Sequence, residues 1–184
     1  MLTHKGTQTL ETPRLILRRA VVEDAAAMFR NWASDPEVTR FLTWPTHDSS
    51  AVSEKVICGW LQEYEAANYY QWMIQLKDLG EPIGSISVVS HSDIVEKAEI
   101  GYCIGKSWWH QGITSEALRA VMDYLFQEVG FNRLEARHDV NNPNSGRVME
   151  KCGMAYEGTS PGYGRNNQGI CDLRLYGILR KDWT

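Results

Sequence analysis

The run from Lys97 to Gly130 constrains this chain most. Ala98, Ile100, Tyr102 and Ile104 alternate with Glu99, Gly101 and Cys103, so Lys97 to Ile104 reads as a strand with one apolar face. The chain then turns through Trp108-Trp109-His110-Gln111-Gly112-Ile113-Thr114-Ser115-Glu116-Ala117-Leu118. Ala117, Leu118, Val121, Met122, Leu125 and Phe126 recur at spacings of three and four, which predicts a helix. Thr114 is expected to cap it, Glu116 to complement its dipole and Gly130 to end it. A strand, a Gly-bearing turn and a helix start together make a cradle for a phosphate. The first-turn amides have no helical partner, and the dipole favours an anion. Gly112 lets an anion approach the backbone and accepts positive φ. The plain alternative is an ordinary strand–helix connection.

Around this unit the chain is ordinary in make-up. Its 184 residues are 43% hydrophobic and 23% charged, which fits one soluble globular domain with a proper core. A net charge of −4 argues against direct nucleic-acid binding. No stretch has the roughly 20 apolar residues needed to span a bilayer, so no membrane partner is expected. Met1 to Thr9 lacks a signal-peptide core. Cys58, Cys103, Cys152 and Cys171 form no C-x-x-C pair and read as free, mostly buried thiols of a cytoplasmic protein. The five histidines show no H-E-x-x-H spacing, so no metal is expected.

Leu10 to Arg18 reads as a first strand, and Glu23-Asp24 open a helix that Asp35-Pro36 breaks. Arg40 to Ser50 is a loop carrying Phe41, Trp44 and His47, and a second helix spans Ala51 to Ala66. Strands at Tyr70–Leu76 and Pro82–Val89 precede Lys97–Ile104, and short connections make the three antiparallel. Arg133 to His138 is a further strand. Asn142 as cap, Pro143 at the first helical position and Gly153 at the end frame a short helix. Strands near 155–161 and 171–180 flank a loop from Gly162 to Gly169.

Two motifs carry a family resemblance. Trp109-x-Gln111-Gly112-Ile113-Thr114, with Glu99-Ile100-Gly101-Tyr102 before it and Ser115-Glu116-Ala117 after it, resembles the acetyl-CoA pyrophosphate signature Q/R-x-x-G-x-G/A of the GNAT N-acetyltransferases. Trp109 stands where Gln or Arg is usual, and Thr114 where Gly or Ala is usual. Asn142-x-x-Ser145 followed by Glu150-Lys151-Cys152-Gly153-Met154 resembles that family's later helix, and T-x-R-L-x-L-R near residue 12 resembles its opening. The whole pattern is similar to the branch holding the ribosomal-protein N-terminal (alanine/serine) acetyltransferases.

The resemblance implies an α/β fold: a mixed, mostly antiparallel sheet of six or seven strands, flanked by about four helices. It implies one domain over 1–184, with an ordered core of about 10–182. Acetyl-CoA would be the co-substrate, with no metal. The acceptor would be a primary amine, either a protein N-terminus or a small molecule, and the protein a monomer or homodimer. Tyr102, Cys103, Ile104, Gln111, Gly112, Ile113, Thr114, Ser115, Asn142 and Lys151 would hold the cofactor. Glu99 is the candidate for taking the ammonium proton, and is equally readable as a salt-bridged strand residue. Met149 stands where the family often has a Tyr that protonates the thiolate, so Ser145 is the candidate for that step; its plain reading is a helix-start residue. Trp44, His47 and Tyr163 are expected at the acceptor pocket. His110 and His138 are discounted as bases. The competing functional class is a non-catalytic domain that binds acyl-CoA or another phosphate ligand, or a partner.

Overall fold

The computed structural model describes residues 2–184. One sheet runs through it, with eight strands: β1 (Leu10–Glu11), β2 (Leu15–Arg18), β3 (Gln71–Leu76), β4 (Glu81–Ser92), β5 (Lys97–Ile104), β6 (Arg133–Asp139), β7 (Ala155–Asn166) and β8 (Gly169–Leu179). Their spatial order is β1-β2-β3-β4-β5-β6-β8-β7, and every neighbouring pair is antiparallel except β5 with β6. Five helices accompany it: α1 (Asp24–Met28), α2 (Pro36–Thr39), α3 (Ser50–Glu63), α4 (Ile113–Tyr124) and α5 (Pro143–Lys151).

The expected six or seven strands become eight because Leu10–Arg18 divides. Thr12-Pro13-Arg14 turns the chain, and Leu10 pairs with Leu17. Asp35 does more than end a helix: its carboxylate accepts from the Glu37 amide and opens α2 at Pro36. Most of the expected 162–169 loop is strand. β7 reaches Asn166, which pairs with Gly169 across a two-residue turn. Of the four free cysteines only Cys152 is buried, and Cys58 is exposed.

The sheet lies between two apolar layers. Ala117, Leu118, Val121, Met122, Leu125 and Phe126 are all buried against Ile100, Leu134 and Ala136, as the helical spacing requires. On the opposite face Met28 of α1, Trp32 of the π-helical turn that follows it, Ile57 of α3 and Tyr64 just after α3 pack with Met73. Trp72 and Met73 point to opposite layers, the period-two consequence of a strand buried on both faces. The chain before β1 also packs on this body: the Thr3 amide donates to Val129 O, and Thr7 is buried. Among the described residues no helix is long and apolar enough to cross a membrane.

Candidate active site

β5 and β6 pair at Lys97–Arg133, Ala98–Leu134 and Glu99–Glu135, then part. Beyond that point β5 stays bonded to β4 as far as Ile104, and β6 to β8 as far as Asp139. The parting leaves one edge of Tyr102 to Ile104 facing a cleft of about 440 Å³. The starts of α4 and α5 both border it, through Ile113 to Ser115 and Asn142 to Ser145.

The turn into α4 has the geometry of an anion cradle. His110 (φ 61°) and Gly112 (φ 75°) are left-handed, and Gly112 occupies the N-cap position. Thr114 therefore lies inside the first turn and does not cap it. No side-chain cap is present, and the amides of residues 113–115 precede the first helical bond, from Glu116 N to Gly112 O. The turn is braced from behind. Arg14 donates from Nη1 to Gln111 O (3.0 Å) and from Nε to Glu116 (2.7 Å), while Thr12 donates to the same carboxylate (2.6 Å). Burial pushes the Glu116 carboxyl up, but these hydrogen bonds outweigh it and hold it below its ordinary value. The first-turn acid thus anchors the β1–β2 hairpin to α4.

The other wall is a pair of hydroxyls. Ser145 donates from Oγ to the Tyr102 oxygen (3.2 Å), and Tyr102 donates back to Ser145 O (2.9 Å). Burial pushes the Tyr102 hydroxyl well above its ordinary pKa, so it stays protonated. The sequence pattern placed Tyr102 among the cofactor-holding residues without a role for its hydroxyl; the signal was a phenol within the apolar row Ala98, Ile100, Tyr102 and Ile104. Asn142 sits at the α5 N-cap position without a side-chain cap bond, and lines the cleft. Met149 is buried in the core.

Of the residues expected to hold a cofactor, Tyr102, Cys103, Ile104, Gly112, Ile113, Thr114, Ser115, Asn142 and Lys151 line the cleft together. Gln111 is not among the lining residues; its amide donates to Ser107 O (2.9 Å) and closes the turn from outside. His110 does border the cleft, at the cradle.

Glu99 lies elsewhere. It faces the sheet side opposite Tyr102, four residues from Cys103 and so about 13 Å along the strand. There it pairs with Arg137 (2.8 Å) and accepts from Ser90 (3.3 Å). Burial raises its carboxyl, and Arg137 offsets only part of that.

Trp44, His47 and Tyr163 do not line the cleft. Arg40, Phe41 and Leu42 of the same loop do, with Glu37 and Val38 of α2. His47 is buried, bonded to Ser53 (2.7 Å) and in tilted contact with the Trp44 ring, so it supports the loop from within; burial lowers its pKa. Tyr163 lies over the Arg137 guanidinium. The β7–β8 turn nonetheless meets that loop: Asn167 donates from its side chain to Thr39 O and Trp44 O (2.8 Å each) and from its amide to Leu42 O (3.2 Å). His138 is buried under Gly146 and held by Asp139 O (2.7 Å), a structural role.

A mixed α/β sheet opened between two parallel strands, with an anion cradle at the start of the following helix, makes a cleft suited to a long ligand carrying phosphate. Comparison with known proteins resolves the class. Residues 14–155 match the family model described as an acetyltransferase (GNAT) domain. The uncharacterised N-acetyltransferase p20 of Bacillus licheniformis is 30% identical over 179 residues, spanning 96% of this chain and 99% of its own. The ribosomal-protein-serine acetyltransferase of Escherichia coli is 30% identical over 136 residues, 73% of this chain and 75% of the relative. A ribosomal L7/L12 alpha-N-protein acetyltransferase solved with coenzyme A shares the fold, with a TM-score of 0.83 at 22% identity over 94% of this chain and 98% of that one. The chain belongs to the GNAT N-acetyltransferase family.

Proposed function

We propose that this chain transfers the acetyl group of acetyl-CoA to a primary amine, either a protein N-terminus of the ribosomal-protein kind or a small-molecule amine. The observation that carries this reading is the parting of β5 from β6 at the α4 cradle. An extended pantetheine matches the free edge of Tyr102 to Ile104 as an added strand would. The amides of Gly112 to Ser115, in the turn shaped by Gln111, receive the pyrophosphate. Asn142 and Lys151 hold the cofactor from the α5 side. The presence of coenzyme A in the structure of the ribosomal L7/L12 acetyltransferase that shares this fold supports this reading.

The amine enters beside Arg40 to Leu42, in a mouth backed by Trp44 and His47 and bordered by the hairpin that carries Tyr163. Its nitrogen attacks the thioester carbonyl, and a backbone N–H steadies the oxyanion. The ammonium proton leaves through water along the sheet face to Glu99, whose raised pKa suits a base. Collapse breaks the C–S bond, and Ser145 gives its proton to the departing thiolate. Cleft water returns a proton to the Ser145 oxygen in the same step, and the start of α5 favours the partial negative charge on that oxygen meanwhile.

A thiol-release assay over amino acids, polyamines and N-terminal peptides tests this, with thermal shift against acetyl-CoA, ATP and NAD. Acetyl-CoA alone is expected to raise the melting temperature. No shift and no turnover with any amine would overturn the reading.

A further inference from the structure

The N-terminal segment, the end of β4 and the turn after it bring together three residues that no sequence spacing links. His4 Nε2 lies 3.2 Å from Asp93 Oδ2, and His91 Nδ1 lies 3.0 Å from Asp93 Oδ1. One ligand atom from each of His4, His91 and Asp93 lies within 4.8 Å of the other two. We propose that these residues form a binding site for a divalent transition-metal ion, remote from the acyl-transfer cleft.

The geometry is close to what such an ion needs. Ligands of a tetrahedral zinc, with bonds of roughly 2.0–2.1 Å, stand about 3.3 Å apart. With either Asp93 oxygen as the ligand, one edge of that figure is already formed, since Oδ2 lies 3.2 Å from His4 Nε2 and Oδ1 lies 3.0 Å from His91 Nδ1. The other ligand pairs lie within 4.8 Å, so each needs a closure of no more than about 1.5 Å, within reach of small rotations of the rings and the carboxylate.

The donor set also selects the ion. Two imidazoles and one carboxylate suit Zn²⁺, Co²⁺ or Ni²⁺, whereas Mg²⁺ and Ca²⁺ prefer all-oxygen shells. Asp93 is more than half exposed, so a water can complete the shell. Around the donors the rings are held. His4 Nδ1 hydrogen-bonds the Tyr70 hydroxyl at 2.7 Å, which aims Nε2 at Asp93 and is the outer-shell contact a ligating histidine usually makes. The buried Phe131 ring stands edge-on to both imidazoles, at 5.9 and 6.2 Å between centroids. A bound ion would clip the N-terminal segment, already tied by Thr3 to Val129 O and by Gly6 to Ala67 O, to the β4–β5 turn.

The test uses untagged, metal-free full-length protein carrying Cys58→Ser, which removes the exposed thiol. Co²⁺ is titrated and followed by visible absorption, and Zn²⁺ and Mg²⁺ are compared by thermal shift. One saturable Co²⁺ site is expected, with a higher melting temperature in Zn²⁺ and none of that rise in Mg²⁺. His4→Ala, His91→Ala and Asp93→Asn should each weaken binding at least about tenfold, and Tyr70→Phe should weaken it in the same direction. Asp93→Asn lies on an exposed turn and keeps the test open if a histidine variant misfolds. No saturable binding, or binding unchanged in the folded variants, would overturn the proposal.

Discussion

The two halves of β5 show how one strand serves two purposes. At its start, backbone pairing to β6 is reinforced by charge. Lys97 bonds Glu135 at 2.8 Å, Arg133 bonds both Glu135 and Glu157, and Arg137 reaches Glu99. Four residues later the same strand has lost β6 and gained a cleft. The paired carboxylates Glu99 and Glu135 share a register position yet differ in charge behaviour. Burial pushes both up; Lys97 and Arg133 outweigh it at Glu135, while Arg137 and Ser90 do not at Glu99. The closed end therefore places a firmly ionised group on β6 beside one on β5 that holds its proton more readily.

The largest effect should come at the open end, from Ser145→Ala. Losing a placed proton donor typically costs 10²–10⁴-fold, roughly 3–5 kcal/mol, so kcat should fall by about that much with acetyl-CoA affinity nearly unchanged. Tyr102→Phe separates the two hydroxyls: it keeps that of Ser145 but removes its hydrogen-bond partner, so a loss larger than that of Ser145→Ala would move the donor role to Tyr102. A change in kcat below about threefold would reduce Ser145 to a helix-start residue. Gly112→Asp comes next. Aspartate tolerates positive φ, so its carboxylate at the cradle is what should weaken acetyl-CoA binding, by about 30-fold or more. Calorimetric titration that finds parental affinity would misplace the pyrophosphate.

Gly84→Ala probes what backs the open end. Gly84 pairs with Ile104, and a methyl there would meet the Cys103 carbonyl oxygen and come 2.9 Å from Ile104 Cα. Since the neighbours are backbone, a loss of about 1–3 kcal/mol in urea unfolding is expected. Glu99→Gln should lower kcat/KM by about tenfold and remove an acid limb lying above the ordinary glutamate value, because the Glu99 pKa is raised. An unchanged pH profile would assign proton removal to solvent. The smallest effect belongs to the closed end. A depressed Glu135 pKa contributes stability above the unfolded glutamate value near 4.3, lost as pH falls through the lower folded value. Glu135→Gln should flatten that part of the acid unfolding curve, by about 1 kcal/mol or less.

The sequence by itself determined the elements and the cradle. Period two over Lys97–Ile104 and the three-four spacing over Ala117–Phe126 are local consequences of burial on one face, and both elements lie where that pattern puts them. Gly112 was legible because few other residues suit that backbone. Only the tertiary structure decided where strands stop pairing, since the β5–β6 parting depends on two strands separated by a whole helix. It also decided side-chain company. Tyr102 meets Ser145 across a register that neither residue encodes, Glu99 is drawn to Arg137 on the far face, and Trp44 and His47 turn inward while Arg40 to Leu42 reach the cleft. Periodicity fixes the face a residue takes; distance in space between elements fixes its partner, and that distance is set by packing of the whole core.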